Sequence, residues 1–151
     1  MKNRPLFTVF RLTILVAFSV TIGCSQNVSL RGKVTFSDDD APLSTGAVCF
    51  ESETMVARGE LQADGSYVVG SDAPKNGLPP GEYRVYITGA SKFETKSMGA
   101  IALPGTPAPS ISIPVSLIDP KFSSPTTSGL TLKVERATGR FDFKVDRPPT
   151  K

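Results

Sequence analysis

No histidine occurs in this 151-residue chain, no tryptophan either, and the only cysteines are Cys24 and Cys49. Without histidine neither a Ser-His-Asp nor a Cys-His arrangement can be assembled, a histidine-ligated zinc site is excluded, and two cysteines cannot build a thiolate cluster. Phosphate-cradling glycine loops are missing too. Beyond residue 23, no window of a dozen residues repeats apolar side chains at intervals of three and four. Proline and glycine supply 24 of the remaining 128 residues, which excludes long helices. No catalytic residue, cofactor-binding set or metal-ligand set is therefore expected.

What is present starts with a segment that reads as an export signal. Lys2, Arg4 and Arg11 precede the uncharged run Leu12 to Ile22, which ends at Gly23-Cys24. The run is too short for the roughly 20 apolar residues of a spanning helix and long enough for the apolar region of a secretion signal. Thr21-Ile22-Gly23-Cys24 resembles a lipobox, the cleavage site of bacterial lipoproteins, with Thr21 standing where leucine is usual. That resemblance implies a signal peptide over 1–23, lipidation of Cys24, a short tether over 24–27, and export to the periplasmic or outer face of the envelope. An ordinary secreted protein and an uncleaved anchor are the other readings of the segment. Cleavage before Cys24 removes 23 residues and three of the 17 basic ones, leaving 14 basic against 14 acidic. The mature chain is thus formally neutral, and basicity offers no case for nucleic acid as a partner. If Cys24 carries lipid, Cys49 is a lone thiol; if it does not, a Cys24–Cys49 bridge is open.

The remainder is a series of short alternating runs separated by turn residues, the pattern of an all-β domain over 28–147 with a disordered tail over 148–151. Val28, Leu30, Gly32, Val34 and Phe36 share one row of a first strand. Ala47 to Glu51 follows, with Val48 and Phe50 inward and Cys49 on the opposite face, and then Met55 to Leu61. Gln62-Ala63-Asp64-Gly65 is expected to turn the chain as a hairpin into Ser66 to Val69. Pro79-Pro80-Gly81 sets the start of a strand at Glu82, with Tyr83, Val85 and Ile87 inward and Glu82, Arg84 and Tyr86 outward. From Gly89 to Ser110 the pattern is lost, and the segment reads as a long mobile connection. Ile111, Ile113 and Val115 then alternate around Pro114, which calls for a short or edge strand. Leu130 to Glu135 and Phe141 to Asp146 end the chain, joined through Arg136-Ala137-Thr138-Gly139 as a second hairpin. Seven to eight such strands argue a single two-sheet sandwich.

The residues also carry a family resemblance. Leu30 to Phe36, Ala41-Pro42-Leu43, Gly46-Ala47-Val48, Ala63-Asp64-Gly65-Ser66-Tyr67 and Leu78 to Val85 are similar, in order and spacing, to the transthyretin-like (prealbumin-like), carboxypeptidase regulatory-like sandwich. Leu117 to Pro125 with Thr127 to Thr131 resembles the C-terminal half of small lipoproteins abundant in planctomycete bacteria. The resemblance implies a β-sandwich behind a lipid anchor and transfers no catalytic residue. The absence of histidine disfavours the hydroxyisourate-hydrolysing branch of that fold, whose active site uses histidines.

Three stretches remain as candidates. Arg84 and Tyr86 on the outward strand face, with Phe93 in the long connection, form the expected binding surface, suited to an envelope protein or a glycan. Glu51 and Glu53 share a strand face and allow a carboxylate-dependent hydrolase as a lesser reading. Asp38-Asp39-Asp40 lacks the spaced ligands of a calcium loop and reads as a solvated turn. The expected function is a non-enzymatic, lipid-anchored binding or structural module, with a carbohydrate-binding accessory as the alternative.

Overall fold

A computed structural model describes residues 27–70, 73, 75–97 and 110–149. The lipobox with Cys24, the signal segment, and the middle of the long connection lie outside the described residues. Nine strands are present among those described: β1 (Arg31–Phe36), β2 (Ala47–Glu51), β3 (Val56–Glu60), β4 (Ser66–Val68), β5 (Gly81–Thr88), β6 (Ser91–Ser97), β7 (Ser110–Ser116), β8 (Leu130–Val134) and β9 (Phe143–Val145), with one 3₁₀ turn at Pro120–Ser123.

Seven of them make an all-β sandwich. A four-stranded antiparallel sheet in the order β3-β2-β5-β8 faces a three-stranded sheet in the order β4-β1-β9, in which β1 and β9 run parallel. Each strand gives one row of alternate residues to the space between: Val34 and Phe36 from β1, Val48 and Phe50 from β2, Tyr67 from β4, Tyr83, Val85 and Ile87 from β5, Val134 and Val145 from the last two. Phe50 meets Tyr67 across that space with ring centroids 6.1 Å apart. The buried Tyr67 hydroxyl donates to the Phe141 carbonyl at 2.6 Å, so no polar atom is stranded there.

The turn chemistry explains the corners. Gly65 has φ +78, and a Cβ there would lie 2.5 Å from the Val34 carbonyl oxygen, so the position accepts only glycine without strain. Asp64 closes the same turn by accepting from the Ser66 N–H at 3.0 Å and its hydroxyl at 2.6 Å, bonds that hold its carboxyl below the usual carboxylate value. Strand β5 starts at Gly81, one residue before the expected Glu82, because Gly81 retains the donor that Pro79 and Pro80 lack.

Four expectations need correction. The first strand is shorter than its apolar row: Val28 stays in line only through a bridge to Leu78, and the ladder begins at Arg31. The turn at 62–65 forms and the segments it joins keep one antiparallel register, through the Gln62 N–H to the Ser66 carbonyl at 2.9 Å and the Arg58↔Gly70 bridge, but between those points the hairpin is open and β4 pairs with β1 instead, so it also turns the corner between the sheets. The turn at 136–139 also forms, with the Thr138 N–H donating to the Glu135 carbonyl at 2.8 Å, but β8 joins β5 while β9 joins β1. Both apolar rows must face one core, and crossing the end of the sandwich satisfies that as well as a hairpin does. Last, the connection is no structureless stretch: β6 pairs residue for residue with β7, from Ser91↔Ser116 to Ser97↔Ser110, as a separate two-stranded arm. The β6 residues alternate with period two, but neither of the β6 rows is apolar, so no core-facing pattern marks that strand. The strand around Pro114 therefore belongs to the arm and not to a sandwich edge.

Candidate functional site

The outer face of the four-stranded sheet carries a charged lattice set by register. Cys49 on β2 lies between Arg58 on β3 and Tyr86 on β5; one step along, Glu51 is opposite Arg84, and further on Glu82 is opposite Lys133 on β8. Opposite charges thus face each other across adjacent strands, the arrangement that favours pairing of directly opposed side chains. Arg84 is exposed and Tyr86 half-buried. Burial pushes the Tyr86 hydroxyl up from its ordinary value; the neighbouring Cys49 thiol and the Glu51 carboxylate, which is also hydrogen-bonded to it, add to the rise, and Arg58 opposes it. Cys49, although on the face away from the core, is fully buried, its sulfur 3.5 Å from the Thr88 hydroxyl.

At one end this face runs into a groove of about 870 Å³. Its walls are the β2–β3 turn at Ser52–Met55 and the Pro79-Pro80 segment, and Glu51, Glu82, Arg84 and Lys133 reach into it from the sheet. Glu53 lines it from the turn, so the two carboxylates singled out in the sequence do meet in one concavity. Tyr83 is the sole aromatic residue in the lining; its ring is buried and its hydroxyl donates to the Pro79 carbonyl at 2.9 Å. The groove joins segments some 80 positions apart in the chain, and no local motif announces such a site. The outward parity of Glu82 and Arg84 and the pair Glu51 and Glu53 pointed toward it.

Phe93 stands elsewhere, on the β6–β7 arm, with 74% of its surface exposed. By register it shares a face with Pro114, Thr95 and Ser112; the other face carries Lys92, Glu94 and Lys96 against Val115, Ile113 and Ile111. On that second face Ile111 and Ile113 are 44% and 38% exposed, shaded by the lysine stems beside them. Arg84 and Tyr86 therefore share one face as expected, whereas Phe93 belongs to a second, separate surface. What sequence reasoning missed is the arm itself, whose signal was seven residues, Ser91 to Ser97, in strict alternation without a proline or glycine.

The acidic run 38–40 is occupied by the protein's own cations. Arg147 bonds Asp38 at 2.8 Å and Asp39 at 2.6 Å, and Lys144 bonds Asp40 at 2.5 Å. The Arg147 guanidinium, which also lies over the Phe36 ring at 3.9 Å, holds the Asp38 carboxyl below its usual value. The run ties the end of β9 to the turn after β1, so it is a structural clasp. Among the described residues no three potential ligands from histidine, cysteine, aspartate and glutamate are grouped to hold a metal.

No family model, no curated protein and no solved structure matches this chain.

Proposed function

We propose that the protein is a non-enzymatic module of the bacterial cell envelope, a transthyretin-like sandwich tethered to a membrane through lipid on Cys24, which binds or holds another envelope component. The observation that carries the binding role is the β6–β7 arm, which exposes both faces and leaves Phe93 bare beside Pro114. A two-stranded ribbon with neither face on a core is marginal on its own in water, and a bare aromatic ring on such a ribbon is suited to meeting a partner. The lack of histidine supports the non-enzymatic part of the reading.

The groove beside Arg84 supports the second reading, a carbohydrate-binding accessory, because it is concave and lined by hydrogen-bonding side chains. It lacks the exposed aromatic platform that sugar rings stack on, since Tyr83 is buried. A hydrolase would use Glu51 and Glu53 in the same groove, but glycosidic chemistry needs one carboxylic acid kept protonated in a dry setting, whereas Glu53 is exposed to water and the half-buried Glu51 lies opposite Arg84.

Cross-linking in intact cells followed by pull-down tests the proposal. The wild-type chain is expected to retain envelope partners that Phe93→Ser loses, while Arg84→Ala keeps them. Loss with Arg84→Ala alone would move the function to the groove. Labelling with a fatty-acid analogue should mark the wild type and spare Cys24→Ser, and an unlabelled, soluble wild type would remove the anchor from the reading.

A further inference from the structure

The two long edges of the arm are not equivalent. The Leu117 N–H donates to the Ala90 carbonyl at 2.9 Å, which makes Ala90/Leu117 a directly bonded pair at the root of the arm. Register continues unbroken from there through Ser91↔Ser116 to Ser97↔Ser110. Bonded and non-bonded pairs alternate in an antiparallel ladder, so Lys92, Glu94 and Lys96 turn their backbone groups inward to β7. Ser91, Phe93, Thr95 and Ser97 turn theirs outward, as do Ser110, Ser112, Pro114 and Ser116 on the other strand. The β7 edge is interrupted by Pro114, which has no N–H to offer, the usual way an edge is blunted. The β6 edge has no such guard. The Ser91 N–H is taken by the Gly89 carbonyl at 2.9 Å, and the outward groups of Phe93, Thr95 and Ser97 face no further strand among the described residues.

We propose that the β6 edge pairs with the β6 edge of a second copy of this chain, antiparallel about a two-fold axis at Thr95, to give a continuous four-stranded sheet in the order β7-β6-β6-β7. A two-fold axis requires antiparallel self-pairing, in which each residue meets its mirror position in the ladder. With the axis at Thr95, the outward residue Phe93 falls opposite the outward Ser97 of the second copy, and Glu94 falls opposite its Lys96. Two ion pairs of opposite sign result, on the face where Lys92 and Glu94 already bond at 2.8 Å. With the axis at Glu94, that carboxylate opposes itself and Lys92 opposes Lys96, which like-charge repulsion disfavours. With the axis at Phe93, Lys92 again meets Glu94, but the ladder then needs the Ser91 N–H that Gly89 already holds and drives the second chain against the root at Ala90. Charge and backbone availability together select Thr95. Pairing consumes the edge and leaves the Phe93–Pro114 face open, so it stands apart from the partner-binding role and would present that face twice.

Engineered disulfides read the register directly. Across a bonded antiparallel pair the Cα atoms are about 5.5 Å apart, within reach of a disulfide, whereas positions two residues from the axis are offset from their own copies by about 13 Å along the strand alone. The test uses the full chain with Cys24→Ser in mild detergent, where the buried Cys49 does not compete. Gentle oxidation of Thr95→Cys is expected to yield a covalent dimer, at least tenfold more than Phe93→Cys yields. Adding Glu94→Lys should suppress cross-linking of Thr95→Cys, and adding Lys96→Glu to that variant should restore it. A Thr95→Cys chain that stays monomeric, a Phe93→Cys chain that cross-links equally well, or capture of a different protein at Thr95→Cys would each overturn the proposal.

Discussion

The sandwich, mostly antiparallel, and the fully antiparallel β6–β7 arm are built from the same kind of strand ladder, yet they are held by different forces. Every sandwich strand gives one row of side chains to a shared core, so its backbone bonds and its apolar burial support each other. In the arm the strand register is unbroken along seven pairs while the most apolar residues, Phe93, Ile111 and Ile113, remain exposed. Hydrogen bonding alone adds little net free energy in water, because the unfolded chain bonds to solvent. The arm must therefore depend on its root at Ala90/Leu117, on its cross-strand contacts, and on whatever covers it in the cell.

That contrast is broken most sharply from the sandwich side. Phe50 is fully buried and touches Tyr67 and Phe141 through its ring. Phe50→Ala should cost about 3–5 kcal/mol, the sum of lost transfer energy and a cavity that a sandwich core cannot close. Denaturant unfolding measures it, and a loss below that of an exposed substitution would place the core elsewhere.

A finer cut separates the two faces of β5. Val85 is buried between the sheets and Arg84 points to the groove. Val85→Ala should lose roughly 1–3 kcal/mol, and Arg84→Ala about 0.5 or less. Equal unfolding midpoints, or a reversed order, would show the strand's faces to be assigned the wrong way round.

These faces were legible in the sequence, and the reason is physical. A strand between two layers must repeat apolar residues with period two, so Val34, Phe36, Val48, Phe50, Tyr83, Val85 and Ile87 were placed inward by parity alone. Parity says which face is buried and nothing about which neighbour lies alongside, and that is why β8 and β9 were joined into a wrong pair and the pairing of β4 with β1 was not foreseen. The pairing of the arm escaped for a related reason: β7 shows an apolar row, but its partner β6 serves no core and shows none, and the lysines and glutamate of β6 read as loop. For the candidate site, the outward Arg84 and Tyr86 were legible, but the groove arises from the meeting of the β2–β3 turn, Pro79-Pro80 and Lys133, which only the fold brings together.

A smaller effect tests how the sandwich ends are tied. Asp146 receives Lys121 Nζ at 2.5 Å and the Ser37 hydroxyl, and these two bonds hold its carboxyl below the ordinary value of 3.8. Because the folded value is depressed, its contribution is present above the unfolded value and is lost as pH falls through the folded one. The melting temperature should thus be level above about pH 5 and decline below the ordinary carboxylate value. Asp146→Asn should flatten part of that decline, modestly, since the pair is exposed and screened by salt. Identical acid profiles for the wild type and Asp146→Asn would mean that the bonds to Asp146 contribute nothing.

The smallest expected change comes from removing the arm altogether. Ala90 and Leu117 are already a bonded pair, which is the geometry that flanks a two-residue hairpin turn. Replacing residues 91–116 by Asn-Gly therefore keeps the flanking ladder and leaves Ile118 in the core, at the cost of the two bonds between the Ser116 hydroxyl and the Ile118 backbone. Shortening a connection also lowers its closure entropy, a gain that varies only slowly with length. The excised protein should melt within a few degrees of the full chain, because no side chain of the core leaves with β6 and β7. If it unfolds instead, the arm braces the sandwich, and the division between a self-sufficient body and a dependent ribbon fails. If it folds and still forms the covalent dimer through a cysteine placed elsewhere on the sandwich, the copies meet through the body and the β6 edge is idle.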